Sequence, residues 1–267
     1  MSLQLISILV LCGFFTNLMS AVFGIGGGVL MVPILYTLFP DFPLQMIAAT
    51  SLTIVIGSSI INLIYFYQQK IQIRIKAVLF WSFSTIIGVQ SGFEISFFLS
   101  DILIISIFVG TLSLLALKIM FSSESLPHHG QISGEIWKGS GLCLFGGLIA
   151  GLTGIGGGSI MAPLIGQLKS IKPQQIAPYT NYMMVIGGSG SLYSYLTKSP
   201  PFYLTGSWQV GYVNFSIVAI VVLSAFMMSF FSMKIRGKLS PSLTRKLLAL
   251  ILFIIAGYML MLHLLKG

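Results

Sequence analysis

Long apolar stretches recur along the chain, interrupted by short polar segments and showing almost no internal alternation. The pattern predicts five hydrophobic elements, at about 3–23, 28–39, 44–67, 76–98 and 101–121. Five more follow, at about 138–153, 158–168, 174–197, 208–232 and 242–265. Most approach the roughly 20 apolar residues that a helix needs to cross a bilayer core of about 30 Å. Within Ile102–Leu117, 11 residues are Leu, Ile, Phe or Val. At about −0.5 kcal/mol each near a helix centre, they favour insertion by roughly 5 kcal/mol. A water-soluble helical core would carry polar faces at helical spacing, and none is found.

Composition agrees. Of 267 residues, 56% are hydrophobic and 7% charged. Soluble domains carry about 25% charged residues, so the chain lacks the groups to cover a water-facing surface. Residues 2–23 hold no Lys or Arg, so this stretch is expected as a first span and not as a cleaved leader. Cys12 and Cys143 lie in apolar spans without paired spacing and read as small packing residues. The net charge of +9 does not point to nucleic acid, because the basic residues sit in short loops between spans.

The chain repeats. Gly24-Ile25-Gly26-Gly27-Gly28-Val29-Leu30-Met31-Val32-Pro33 returns 130 residues later as Gly154-Ile155-Gly156-Gly157-Gly158-Ser159-Ile160-Met161-Ala162-Pro163. At the same offset Thr50-Ser51 pairs with Thr180-Asn181, Ile56-Gly57 with Ile186-Gly187, Ser59 with Ser189 and Tyr65 with Tyr195. The expected organisation is one transmembrane repeat over 1–121, a cytoplasmic linker over 122–137 and a second repeat over 138–267. Pro127, two glycines, Glu124, Glu135, His128 and His129 mark the linker.

The second element of each half is short. Twelve helical residues cover only about 18 Å. If every element nevertheless changes side, twelve of the fourteen basic residues share one face, leaving Lys198 and Lys266 on the other. If both short elements turn back, the basic residues divide seven and seven. The positive-inside rule selects the first arrangement, with the basic face cytoplasmic and both termini outside. Five elements per half is odd, so the halves enter the membrane with opposite polarity, as in many secondary transporters. The fold class expected is therefore an all-α polytopic membrane protein, of two inverted-topology repeats with about five helical elements each.

The glycine motifs carry the candidate chemistry. A helix through Gly24, Gly26, Gly27 and Gly28 loses about 1 kcal/mol per glycine relative to alanine. The same holds at Gly154, Gly156, Gly157 and Gly158. Such a cluster favours a break, and unwound backbone at membrane depth must be enclosed by protein or water. The helix after the break presents free N–H groups and a positive dipole end, which form an anion site without a charged side chain. Pro33 and Pro163 are expected to kink or end the short helices. Thr50, Ser51, Thr180 and Asn181 offer hydroxyl and amide groups to the same anion, or bond their own helix instead. Close helix packing is the competing explanation of the glycines, through Gly24-x-x-x-Gly28 and Gly154-x-x-x-Gly158. No Lys-Ser/Thr follows the glycines and no strand precedes them, so neither a nucleotide loop nor a dinucleotide fingerprint is present.

Asn17, Asn62 and Gln90 are also polar within spans. Glu94 reads as a solvated carboxylate near the outer end of its span, with proton coupling as the alternative. His128-His129 reads as loop and His263 as interfacial. Neither a nucleophile–base pair nor a metal-ligand set stands out, so no enzymatic activity, metal or cofactor is expected.

The doubled Gly-Ile-Gly-Gly-Gly-x-x-Met-x-Pro resembles the sulfite exporter TauE/SafE family of membrane transporters. Ala49-Thr50-Ser51 matches the family's Gly-Thr-Ser-like stretch, and Tyr179-Thr180-Asn181 departs from it. The resemblance implies a transporter of small sulfur-containing anions such as sulfite or organosulfonates. The residues and the resemblance converge on an anion bound at Gly24–Gly28 and Gly154–Gly158, with a small anion and the lipid bilayer as partners, no nucleic acid, and the oligomeric state open. A passive anion channel, an uptake transporter of the same fold and a non-transport assembly protein remain as alternatives.

Overall fold

The computed structural model describes residues 3–23, 27–121, 135–235 and 240–266. Gly24, Gly26 and most of the expected linker, including His128 and His129, lie outside the described residues. Ten α-helices follow one another among the described residues. They are α1 (Leu3–Phe23), α2 (Gly28–Leu38), α3 (Leu44–Gln68), α4 (Ile75–Ser96), α5 (Asp101–Phe121), α6 (Glu135–Thr153), α7 (Gly158–Ile165), α8 (Pro173–Thr197), α9 (Phe215–Ile235) and α10 (Pro241–Lys266). Seven are long and apolar enough to cross a membrane: α1, α3, α4, α5, α6, α9 and α10. With α2, α7 and the more polar α8 packed among them, the molecule is an all-α polytopic membrane protein.

Three boundaries differ from the sequence expectation. Glu135 to Trp137, expected in the linker, open α6. The Glu135 carboxylate suits a helix start and accepts hydrogen bonds from the Lys169 and Ser170 N–H groups, both at 2.9 Å. Next, α7 ends at Ile165, where Gly166 gives way to turns that lead into α8. Finally, residues 209–214 form a hairpin of β1 (Gln209–Val210) and β2 (Val213–Asn214), not the start of a helix. Gly211 turns it with φ +54°, and Asn214 Oδ1 caps α9 by accepting from the Ile217 N–H at 3.2 Å.

Contacts define two rims. On one, Gln175 Nε2 donates to Gln72 O and the Arg74 N–H donates to Tyr179 Oη, joining loops rich in Lys and Arg. On the other, Gln45 Nε2 donates to Ser96 O, and the rings of Phe42 and Phe202 meet. Lys198 there pairs with Glu94 and lies 4.4 Å from the centre of the Phe97 ring. Glu94 is thus a half-exposed partner at a rim, not an isolated acid among spans.

The helices pair α1 with α9, α4 with α6, α5 with α10 and α3 with α8. Exchanging the halves, α1–α5 for α6–α10, reproduces this set of pairs. α3 is the most enclosed span, with 72% of its most apolar window buried, against 33% for α5, α9 and α10. The outer helices turn large apolar side chains outward, among them Phe15, Phe83, Leu114, Phe145, Leu223 and Ile254.

Lipid tails are as apolar as these side chains, so burial alone does not drive the helices together, and close packing must. α4 and α6 pack backbone to backbone. A Cβ added at Gly92 would stand 2.1 Å from Leu148 O, and one at Gly151 2.1 Å from Val89 O. Cβ atoms added at Gly88 and Gly147 would also face backbone of the opposite helix, at 2.3 Å from Leu144 O and 2.9 Å from Thr85 O. The small-residue faces are therefore Gly88-x-x-x-Gly92 and Gly147-x-x-x-Gly151, pairs that the sequence reading passed over. Gly92→Ala and Gly151→Ala should each destabilise the protein by about 1–3 kcal/mol through overpacking. Gly110→Ala, where an added methyl meets nothing, should not lower stability. Thermal unfolding in detergent compares the three.

Candidate functional site

The two glycine motifs meet. Gly28 opens α2 against the break of the second half, where its added Cβ would lie 2.4 Å from Ile155 O and 2.9 Å from Gly156 Cα. Gly154 and Gly156 both hold φ +70°, a left-handed conformation that costs other residues about 1–2 kcal/mol. That conformation separates α6 from α7. Space excludes side chains as well: a Cβ at Gly154 would reach 2.3 Å from Ala48 Cα, and one at Gly156 2.7 Å from Val55 Cγ2.

The break leaves donors without partners. The Gly154 N–H still completes α6 by donating to Ala150 O at 2.8 Å. Further on, the Ser159 and Met161 N–H groups return to Gly156 O and Gly157 O. Between them, the buried N–H groups of Ile155, Gly156, Gly157 and Gly158 donate to nothing among the described residues. Those of Gly27, Gly28 and Val29 at the start of α2 likewise have no acceptor among the described residues, while Leu30 and Met31 donate to Gly27 O. Two helix N-termini, one from each half, thus bring free donors to one enclosed junction. Ser51 ties it together. Its hydroxyl lies 3.0 Å from Gly154 O and 3.3 Å from Gly28 O, so one donor serves a carbonyl of either half.

The chain belongs to the sulfite exporter TauE/SafE family. The family model covers residues 9–259. A probable membrane transporter protein of Haemophilus influenzae is 54% identical over 98% of both chains. One of Methanocaldococcus jannaschii is 30% identical over 97% of both, and one of Bacillus subtilis is 26% identical over 67% of this chain and 73% of its own. No solved structure matches. This member of the TauE/SafE family is accordingly a multi-pass membrane transporter.

The other candidate residues have their own partners. Thr50 Oγ1 accepts from the Asn214 N–H at 3.2 Å and faces Tyr212 O at 3.5 Å, so it anchors the hairpin. Thr180 Oγ1 donates to Ala177 O in its own helix. Asn181 Nδ2 also donates to Ala177 O, at 2.7 Å, and its Oδ1 accepts from Asn62 Nδ2 at 3.3 Å. Pro33 and Pro163 sit inside α2 and α7, which continue past them to Leu38 and Ile165. Their carbonyls accept from Thr37 Oγ1 and Gln167 Nε2. Of the candidates described, Gly28, Ser51, Gly154, Gly156, Gly157 and Gly158 gather at the junction, with Gly27 at its edge. Ile155 and Val29, not singled out in the sequence, contribute N–H groups to it. Only their places next to the glycines signalled this.

Gly157 differs from its neighbours, because an added Cβ there meets first the mobile end of Met184, 2.6 Å away. Gly156→Ala should cost about 2 kcal/mol or more from φ strain and the Val55 overlap. Ser51→Ala should cost about 1 kcal/mol through the lost hydrogen bond. Gly157→Ala should fold with stability near that of the parent. Denaturant unfolding in detergent ranks the three.

Proposed function

We propose that the protein is a secondary transporter of small sulfur-containing anions, sulfite or organosulfonates, bound by backbone N–H groups where α2 and α7 begin. The unengaged donors of Ile155, Gly156, Gly157 and Gly158, facing Gly28 of the other half, carry the reading. A helix N-terminus favours negative charge, and enclosed donors without partners are costly unless a ligand or water takes them. No Lys or Arg stands among Ile155–Gly158 or Gly27–Val29, so the anion is held by neutral groups. The family description supports the sulfur anion.

The two repeats, 1–121 and 138–267 with their linker between, are related in this proposal by an axis in the membrane plane. The exchange-invariant helix pairing supports it. Rocking of one half against the other about the glycine junction gives alternating access, with the basic rim in the cytoplasm and both termini outside a plasma membrane. Gln69→Cys, on the basic rim, should then react with an impermeant thiol reagent from the cytosolic side alone. Labelling from outside would reverse the orientation.

Liposomes loaded with sulfite test the transport reading. The parent should release sulfite saturably, ahead of chloride. Gly157→Ala should fold yet release it about tenfold more slowly, a loss of about 1.4 kcal/mol. Flux that does not saturate would indicate a passive channel. Folded protein that releases no sulfur anion would remove the sulfite reading.

A further inference from the structure

A second set of polar groups lies along the same face of α3. Ser51, Val55, Ser58 and Asn62 fall at helical spacings that line one stripe, which runs from the glycine junction toward the basic rim. On α1, Thr16, Asn17 and Ser20 share an arc, and all are fully buried. Asn62 Nδ2 donates to Ser20 Oγ at 2.7 Å and to Asn181 Oδ1 at 3.3 Å, joining α1, α3 and α8.

The network fixes which way the amides face. Asn181 gives its NH₂ to Ala177 O, so its oxygen faces Asn62, and Asn62 must present its own NH₂ there. Asn62 Oδ1 is then left over, buried and without a donor. Thr16 Oγ1, Ser58 Oγ and both polar atoms of Asn17 are likewise buried and unpartnered. Helix packing does not require these residues. At the corresponding places of the second half stand Gly146, Gly147, Ala150, Gly188 and Leu192, which supply no polar side-chain group. The repeats share their packing plan, and this cluster is where they part.

Resting on the anion reading of the junction, we infer that this cluster is a second station on the same path, built for an oxyanion that carries its own proton. The atom inventory selects that class. Asn17 Nδ2 and the hydroxyls of Thr16 and Ser58 are donors suited to anionic oxygens, whereas Asn62 Oδ1 and Asn17 Oδ1 are acceptors that call for a donor from the ligand. A singly protonated oxyanion supplies both kinds of partner. A dianion such as sulfate supplies no donor and brings two charges to a site without a cation. The favoured cargo is therefore hydrogensulfite over a sulfonate that has no O–H.

Methylphosphonate as its monoanion and methanesulfonate separate the cases, because they share shape and charge and differ by one O–H. Calorimetric titration of the full protein in mildly acidic buffer should show methylphosphonate binding about tenfold more tightly. Asn62→Leu, which installs the residue of the matching position Leu192, should remove that difference, and Gly110→Ala, remote from both sites, should keep it. Equal binding of the two probes, or a preference that survives in a folded Asn62→Leu protein, overturns the second station, as does a cluster that holds only water. Absent sulfite flux in liposomes with the binding preference intact would instead remove the transport reading and leave the station in place.

Discussion

Within a bilayer every backbone N–H and C=O must find a partner inside the protein or in enclosed water, at a cost of several kcal/mol otherwise. Most of this chain meets the constraint by forming long helices. The clearest exception among the described residues is the segment between α6 and α7, which meets the start of α2. The short helices α2 and α7 stand against the central α3 and α8 and are screened from lipid by the spans around them. The described point where helical bonding fails, between α6 and α7, is thereby also buried throughout.

Enclosure depends on how closely the spans approach. α4 and α6 touch through their backbones at Gly88, Gly92, Gly147 and Gly151, and α1 meets α9 through Gly13, whose added Cβ would fall 2.6 Å from Val221 O. These are corresponding pairs in the two halves. The first is made by glycine against glycine and the second by glycine against serine, since Ser224 faces Gly13. Each pair joins one helix of either half, so both seams between the halves are closed by small residues.

Much of this was legible beforehand. The doubled glycine–proline motif and the apolar runs placed ten helices and their breaks, because both signals are local. What remained hidden was set by tertiary contact. Nothing in the sequence says that Gly28 rests on Gly156, 128 positions away. Ser51 appeared as one of four polar candidates, and only its position beside two carbonyls separates it from Thr180, which turns to its own helix. The hairpin at 209–214 was obscured by its apolar flanks, although Gly211 and Asn214 carried the turn and cap chemistry. Asn62 looked like an isolated polar residue, and the fold sets it against Ser20 of α1, 42 positions away, and Asn181 of α8.

The single hydroxyl of Ser51 has a mechanical consequence. It has one proton and two carbonyls within reach, one on each half of the molecule. Ser51 and Gly28 belong to the same half, so a displacement of the halves across the glycine junction would stretch the contact with Gly154 O and leave the one with Gly28 O in place. The hydroxyl would thus keep one carbonyl when the other is withdrawn, and both carbonyls border the free donors of the break. The fulcrum of such a motion and the place where an anion would sit are within a few bonds of each other, so no relay of side chains is needed to connect them.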